Sequence, residues 1–537
     1  MRISFRNQVN ALQSCLNSFD PERNASRYAC LKNLSNLPLT IHQDLIHYYE
    51  ALLFVLAYPA DEAQQSLAEK EMQRISTFLK SSVKDRHKQL VNSGLPFTHT
   101  ITRFSHDKVR WLLAHPHCKT TLEDFVDPSH SLNDVLTLTL PTLERSETTA
   151  GRDNLDLMDS LKIPATQRLQ FLVNELARLD HLPYIKDHLY ERLEALVCVT
   201  PKDKIFSKAY NRLPAGSIYF HNDLLKKFDT TTLLDTPVGA PADLDHTSMA
   251  QAIMVVKNAM VLTARETDPC TYMDEHSFRL YQLERGISIA IYGMVPSRQM
   301  PLESYVGYTA FKNGYPVAYG GAWIFGARAN FGINIFTPYR SGESAFVMAQ
   351  LLRLYRHVFD IRYFEVEGYQ FGLNNPEGIA SGAFWFYYRF GFRPMDKQLK
   401  AIALKEEQKI KARKGYKTSH KVLVELTGSN IALALDRKIP QNVPDIAIRV
   451  TQMIRRHYGG DRLMAENECR MRFLRKTGID EPVSSAENLV LTEVALWAEA
   501  MHIEAKDKLK ILAAMIKAKP KDVYAYQSLL LQFYSKD

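Results

Sequence analysis

Residues 330–345 read Asn330-Phe331-Gly332-Ile333-Asn334-Ile335-Phe336-Thr337-Pro338-Tyr339-Arg340-Ser341-Gly342-Glu343-Ser344-Ala345, and a change of period inside this stretch decides the fold. Asn330 to Phe336 has the short apolar character of a strand. From Gly342 to Phe359 the spacing turns helical, with Ala345, Met348, Ala349, Leu352 and Tyr355 on one face. Ile361 to Glu367 is again a strand. A strand, a helix and a strand in this order predict a right-handed crossover joining two parallel strands.

Working outward, Ile287 to Met294 reads as a strand. Tyr305–Phe311 and Pro316–Phe325 flank Asn313-Gly314, the dipeptide of a type I′ hairpin. Downstream, Pro376 to Phe390 reads as a helix with Pro376 in its first turn, residues 397–415 as a basic helix, and Lys421 to Leu426 as a last strand. Of 23 glycines, 14 lie between Gly286 and Gly391 and only four precede residue 240, so turns concentrate in the middle of the chain. The first 240 residues read mostly as helices, Ile41–Ala57 and Pro59–Ser82 most clearly, with loops over 127–156 and 214–246. The end reads as helices, Leu489–Met501 and Lys506–Lys517 among them. The expected fold class is α/β (α+β): a mixed, mostly antiparallel sheet with crossover helices, flanked by helical regions. The expected domains are a helical unit over 1–245, the mixed core over 246–430 and a helical region over 431–537.

The 46% hydrophobic and 23% charged fractions are those of an ordinary globular protein. No apolar run approaches membrane-spanning length, and Met1–Arg6 lacks the apolar run of a signal peptide. A cytoplasmic location is the expectation. Six scattered cysteines without a CxxC pair suggest neither a zinc site nor a disulfide framework. Cys270, after Asp268-Pro269, is expected near the surface but has no evident base beside it. Asp243, Asp245 and His246 read as a loop leading to a helix cap, and no metal is expected. The net charge of +8 is local: residues 397–421 hold nine lysines and arginines against Glu406 and Glu407.

Residues 330–345 with the helix that follows resemble motif A of the GNAT superfamily of N-acyltransferases. The run Ala383-Phe384-Trp385-Phe386-Tyr387-Tyr388-Arg389-Phe390-Gly391-Phe392 is similar to the superfamily's closing pattern, with Ala383, Phe386, Tyr387, Phe390, Gly391 and Phe392 in register. The resemblance covers about residues 285–395. It implies a thioester donor between the two parallel strands, acyl-CoA or the acyl-phosphopantetheine of a carrier protein, with no covalently held cofactor. Arg340, Ser341, Gly342, Ser344 and Ala345 would form the donor-phosphate end, where a helix N-terminus suits an anion. Tyr387 would protonate the departing thiolate, and a strand amide would polarise the thioester carbonyl. Glu367 or Glu365 would take the proton of an amine acceptor, a small molecule or a peptide.

The pattern departs from the family at named positions. Glu343 stands where the phosphate loop usually has Gly, and a carboxylate beside a pyrophosphate is repulsive. Ala380 stands where Asn is common, with Asn374 and Asn375 a little earlier. The basic segment 397–421 reads three ways: a solvated helix face, a dock for an acidic acyl-carrier protein, or a tRNA contact. Two other functions therefore stay open, a GNAT-like binding module without catalysis and an aminoacyl-tRNA-dependent transferase.

Overall fold

In a computed structural model of the chain, residues 4–82, 88–148, 151–152, 154–214, 216–482 and 484–535 are described. Met1–Ile3 and parts of the 127–156 loop lie outside them. Among the described residues, eleven strands form two sheets. Strands β1 (Thr100–Thr102), β2 (Cys118–Phe125) and β3 (Ala195–Pro201) make a small antiparallel sheet in the order β1-β3-β2. It lies in the region expected to be mostly helical. These strands are short and β2 alternates poorly between buried and exposed positions, so no period-2 pattern announces them.

The second sheet has eight strands in the order β10-β11-β9-β8-β7-β6-β5-β4. They are β4 (Arg279–Gln282), β5 (Ile287–Tyr292), β6 (Ser304–Lys312), β7 (Tyr315–Phe325), β8 (Arg328–Ile335), β9 (Tyr363–Val366), β10 (Arg393–Pro394) and β11 (Ile431–Ala434). Every neighbouring pair is antiparallel except β8 and β9, which run parallel as the crossover requires. The molecule is thus a mixed α/β protein with antiparallel-dominated sheets. The β6–β7 hairpin turns at Asn313 (φ 47°) and Gly314 (φ 82°), both in the left-handed region that a type I′ turn demands. A Cβ on Gly314 would also meet the Leu213 carbonyl oxygen at 2.4 Å. Gly314→Ala is therefore expected to destabilise the fold by more than the roughly 1–2 kcal/mol of the left-handed conformation alone, read as a lower denaturation midpoint.

Both faces of this sheet are covered, which is why its strands are nearly continuous apolar runs. The crossover helix Ser344–Phe359 packs on one face. It is buried on almost every side, from Phe346 through Tyr355, and not only along the face that its periodicity marked. The stretch read as a loop, 214–246, lies over its outer side: Phe228 meets Phe346 edge-on at 5.4 Å, and Arg353 donates to the carbonyls of Thr236 and Pro237 at 2.8 and 2.7 Å. The N-terminal helices Phe5–Cys15, Pro21–Ser35, Gln43–Ala57 and Glu62–Ser81 share one continuous hydrophobic core with the sheet and this helix. Helix His246–Leu262, capped by Asp245, covers the opposite face through Val256 and Met260. The C-terminal helices build a further core that reaches Phe325 of β7.

Three local readings are corrected. Lys421–Leu426 is not a strand: Ser419 caps a helix over His420–Leu426, and Ile431–Ala434 pairs with β9 instead. The helix expected over 376–390 is two, Pro376–Ser381 and Ala383–Arg389, broken at Gly382 (φ 68°). Cys270 is fully buried, because the turn after Pro269 folds under β6 (Ser304–Lys312).

Candidate active site

Strands β8 and β9 pair over only three positions, Arg328–Tyr363, Ala329–Phe364 and Asn330–Glu365. Beyond Asn330, β8 runs on to Ile335, while β9 ends at Val366 and turns away through a short 3-10 segment, Gly368–Phe371. The strands part, and a cavity of about 550 Å³ opens between them, a size suited to a small-molecule site. Its walls are the end of β8, the turn Thr337–Arg340, the start of the crossover helix and the segments around Tyr369 and Tyr387. Glu50, Asn92 and Lys208 from the N-terminal region and Arg265 after the helix over β5 complete it.

Backbone groups alternate edges along a strand. Phe336 donates its N–H to Val317 of β7, and Ala327 accepts from Arg362 and Tyr363 at the start of β9. Odd-numbered residues of β8 therefore face the β9 side, and past Asn330 that side is the cavity. Ile333 presents its amide there, next to Tyr387. Tyr387 lines the cavity, and its side chain is buried, with the ring packed against Phe392. Burial pushes its pKa up, and hydrogen bonding from the Ile333 backbone opposes only part of that. Tyr387 thus stays protonated through the physiological range, the form that a proton donor needs.

The expected donor-phosphate residues divide. Arg340 and Ser344 line the cavity. Arg340 reaches back to the Ile335 carbonyl at 3.3 Å and pairs with Glu377 at 2.5 Å; both charged groups are about half exposed. Ser341, Gly342 and Ala345 do not line it. Gly342 serves packing, since a Cβ there would meet the Tyr58 ring at 2.6 Å.

The repulsion expected from Glu343 does not arise, because its carboxylate points away from the cavity into the protein. It accepts from Lys312 Nζ at 2.5 Å, from Arg285 at 2.7 Å and from the Leu225 amide at 2.8 Å, with His221 Nε2 at 3.8 Å. The side chains of Glu343 and Lys312 are both fully buried. Burial by itself would raise the Glu343 pKa; the His221, Lys312 and Arg285 contacts outweigh it and hold the carboxyl well below its usual range. Burial pushes Lys312 down to about 8 against the pull of Glu343.

The two candidate bases are separated by their partners. Glu365 is buried, ion-paired with Arg328, and accepts from Asn430 at 2.6 Å. Glu367 is exposed and accepts from Asn330 at 2.5 Å. Neither lines the cavity. The basic segment begins as a helix over Lys397–Ala412, and all nine of its cations are exposed. Its two carboxylates are occupied, Glu406 by Lys409 and Tyr416, Glu407 by Lys411 and Tyr388.

Glu50, Lys208 and Arg265 were missed as site residues. Only Glu50 left a trace, as the one carboxylate in the apolar run Tyr48 to Tyr58. Comparisons with protein-family models, with curated proteins and with solved structures find no match to this chain.

Proposed function

We propose that the chain is an N-acyltransferase of the GNAT type, moving an acyl group from a thioester donor, acyl-CoA or acyl-carrier protein, to an amine. One observation carries this reading: Tyr387 and Ile333, joined by a hydrogen bond from the Ile333 backbone to the Tyr387 hydroxyl, both line the cavity that opens where β8 and β9 part. In the proposed reaction the thioester carbonyl takes the Ile333 N–H over from the Tyr387 hydroxyl, and that N–H stabilises the oxyanion as the amine attacks. The C–N bond forms, the C–S bond breaks, and Tyr387 gives its proton to the thiolate. The ammonium formed on the attacking amine gives its proton to solvent, since neither Glu365 nor Glu367 lines the cavity. The inward carboxylate of Glu343 supports the reading further, since it leaves the helix start at Ser344 and Arg340 open to a donor phosphate. That same geometry removes the residue that favoured a binding module without catalysis.

The test is release of free thiol from short- and long-chain acyl-CoAs and from acyl-carrier proteins, with mixed amines as acceptors. Release from any donor supports the reading, and release from none overturns it in favour of a binding module or an aminoacyl-tRNA-dependent enzyme. The same assay locates the donor. Charge reversal at Lys409, Lys411 and Arg413 is expected to raise KM for a carrier-borne donor about tenfold or more, from lost electrostatic steering, and to leave acyl-CoA use unchanged. An equal effect on both donors would exclude 397–421 as a carrier dock.

A further inference from the structure

Beyond the end of β8 the cavity is lined by an acid and a base that do not pair with each other. Glu50 projects from helix Gln43–Ala57, and Lys208 follows the small antiparallel sheet. Each charge shifts the other's protonation: burial raises the Glu50 pKa and lowers that of Lys208, and each opposes the shift of its neighbour. Both line the same cavity. Yet neither side chain makes a hydrogen bond or an ion pair with any described residue. His47 also acts on Glu50 at longer range.

The backbone fixes their relation. The Tyr49 hydroxyl accepts from the Ala209 amide at 2.8 Å and donates to the Gly94 carbonyl at 3.1 Å, and Lys208 donates its own amide to that carbonyl at 3.0 Å. The Lys208 stem lies so close over Gly94 that a Cβ there would meet its Cδ at 2.7 Å. The two heads are thus carried by one braced unit and held apart inside a cavity. A ligand with a single charge would leave the other head without a partner, which is costly away from bulk water. A ligand with both charges satisfies both.

The pair also stands apart from Tyr387. Tyr387 lies on the helix Ala383–Arg389 beside Ile333, whereas the helix Gln43–Ala57 that carries Glu50 packs against the turn Thr337–Tyr339 beyond the end of β8. A molecule held at Glu50 and Lys208 must reach back along that turn to present an amine to the thioester. We propose that the acceptor is a diamino acid, its α-carboxylate on Lys208 and its α-ammonium on Glu50, with the side-chain amine directed toward Tyr387. This rests on the acyltransferase reading only for the fate of that amine; the head-group site stands on its own.

The test is therefore binding without a donor, by titration calorimetry on the full chain. The probes are L-lysine, L-ornithine, cadaverine, which lacks the carboxylate, and 6-aminohexanoate, which lacks the α-ammonium. Lysine or ornithine is expected to bind at least about tenfold more tightly than either of the last two, the effect of one unmet charged partner. Lys208→Met should bring lysine and cadaverine within about twofold of each other, and Glu50→Gln should do the same for lysine and 6-aminohexanoate. Cadaverine binding as tightly as lysine, or no binding of either diamino acid at millimolar concentration, overturns the proposal whether or not the variants fold. Diamino-acid binding without thiol release would keep the site and reject the acyltransferase; thiol release with amines that do not bind here would do the reverse.

Discussion

On the proposed acyltransferase reading, Tyr387→Phe is expected to lower thiol release from the preferred donor by about 10²- to 10⁴-fold, the contribution typical of a positioned proton donor. The side chain is otherwise unchanged: its ring still packs on Phe392 and fills the wall between the Ala383–Arg389 helix and β8. Only the hydroxyl beside the Ile333 amide is lost, so stability should fall by no more than about 1 kcal/mol, the net worth of one hydrogen bond. Steady-state kinetics beside a denaturant melt separates the two. A full-rate variant would remove Tyr387 from the mechanism, and a poorly folded one would show it to be a core residue. The wild-type pH profile gives a second check. Burial raises this hydroxyl above its ordinary value of 10.0, so no alkaline limb from Tyr387 should appear below that pH.

Glu343→Gln is expected to destabilise the protein by about 3–5 kcal/mol, the loss typical when one partner of a buried ion pair is removed. Lys312, fully buried, would lose the carboxylate that holds its charge against burial, while Arg285 would retain Asp223 at 2.9 Å. The double change Lys312→Met with Glu343→Met should recover most of the loss, because replacing both charges by apolar groups removes the desolvation cost together with the attraction. Chemical denaturation of the single and double variants checks this; equal stability of wild type and Glu343→Gln would show that the pair contributes nothing net. The pH dependence follows in sign. The folded-state pKa of Glu343 lies below its ordinary value of 4.5. Its contribution is complete above that value and disappears as the pH falls toward the folded pKa. The gap between wild type and Glu343→Gln should therefore narrow in acid.

The same residue shows how a sequence pattern can be read correctly in place and wrongly in direction. Position 343 does begin the crossover helix, as expected. Its side-chain direction is set by Lys312, Arg285 and His221, which lie 31, 58 and 122 residues away in sequence, and no local rule places them. Glu365 is similar. Strand alternation predicts a face shared with Glu367, but β9 ends at Val366, Arg328 and Asn430 occupy Glu365, and Asn430 comes from a segment that local periodicity placed after the last strand.

By itself the sequence determined the elements whose signals are local. The Asn313-Gly314 turn set the hairpin because left-handed backbone at both positions fits few other residues. The switch from strand to helical spacing across 330–359 and back to a strand set the parallel pair, and the closing aromatic run marked Tyr387. The tertiary structure decided what depends on distant chain segments meeting. It buried the crossover helix on almost every side under residues 214–246 and the N-terminal helices, which the helix's own pattern could not register. It also brought Glu50 and Lys208, 158 residues apart, to the end of a cavity that β8 and β9 open. Periodicity reports which face of an element is apolar; which charges come to stand across a gap depends on how whole segments pack, and that information is spread over the chain.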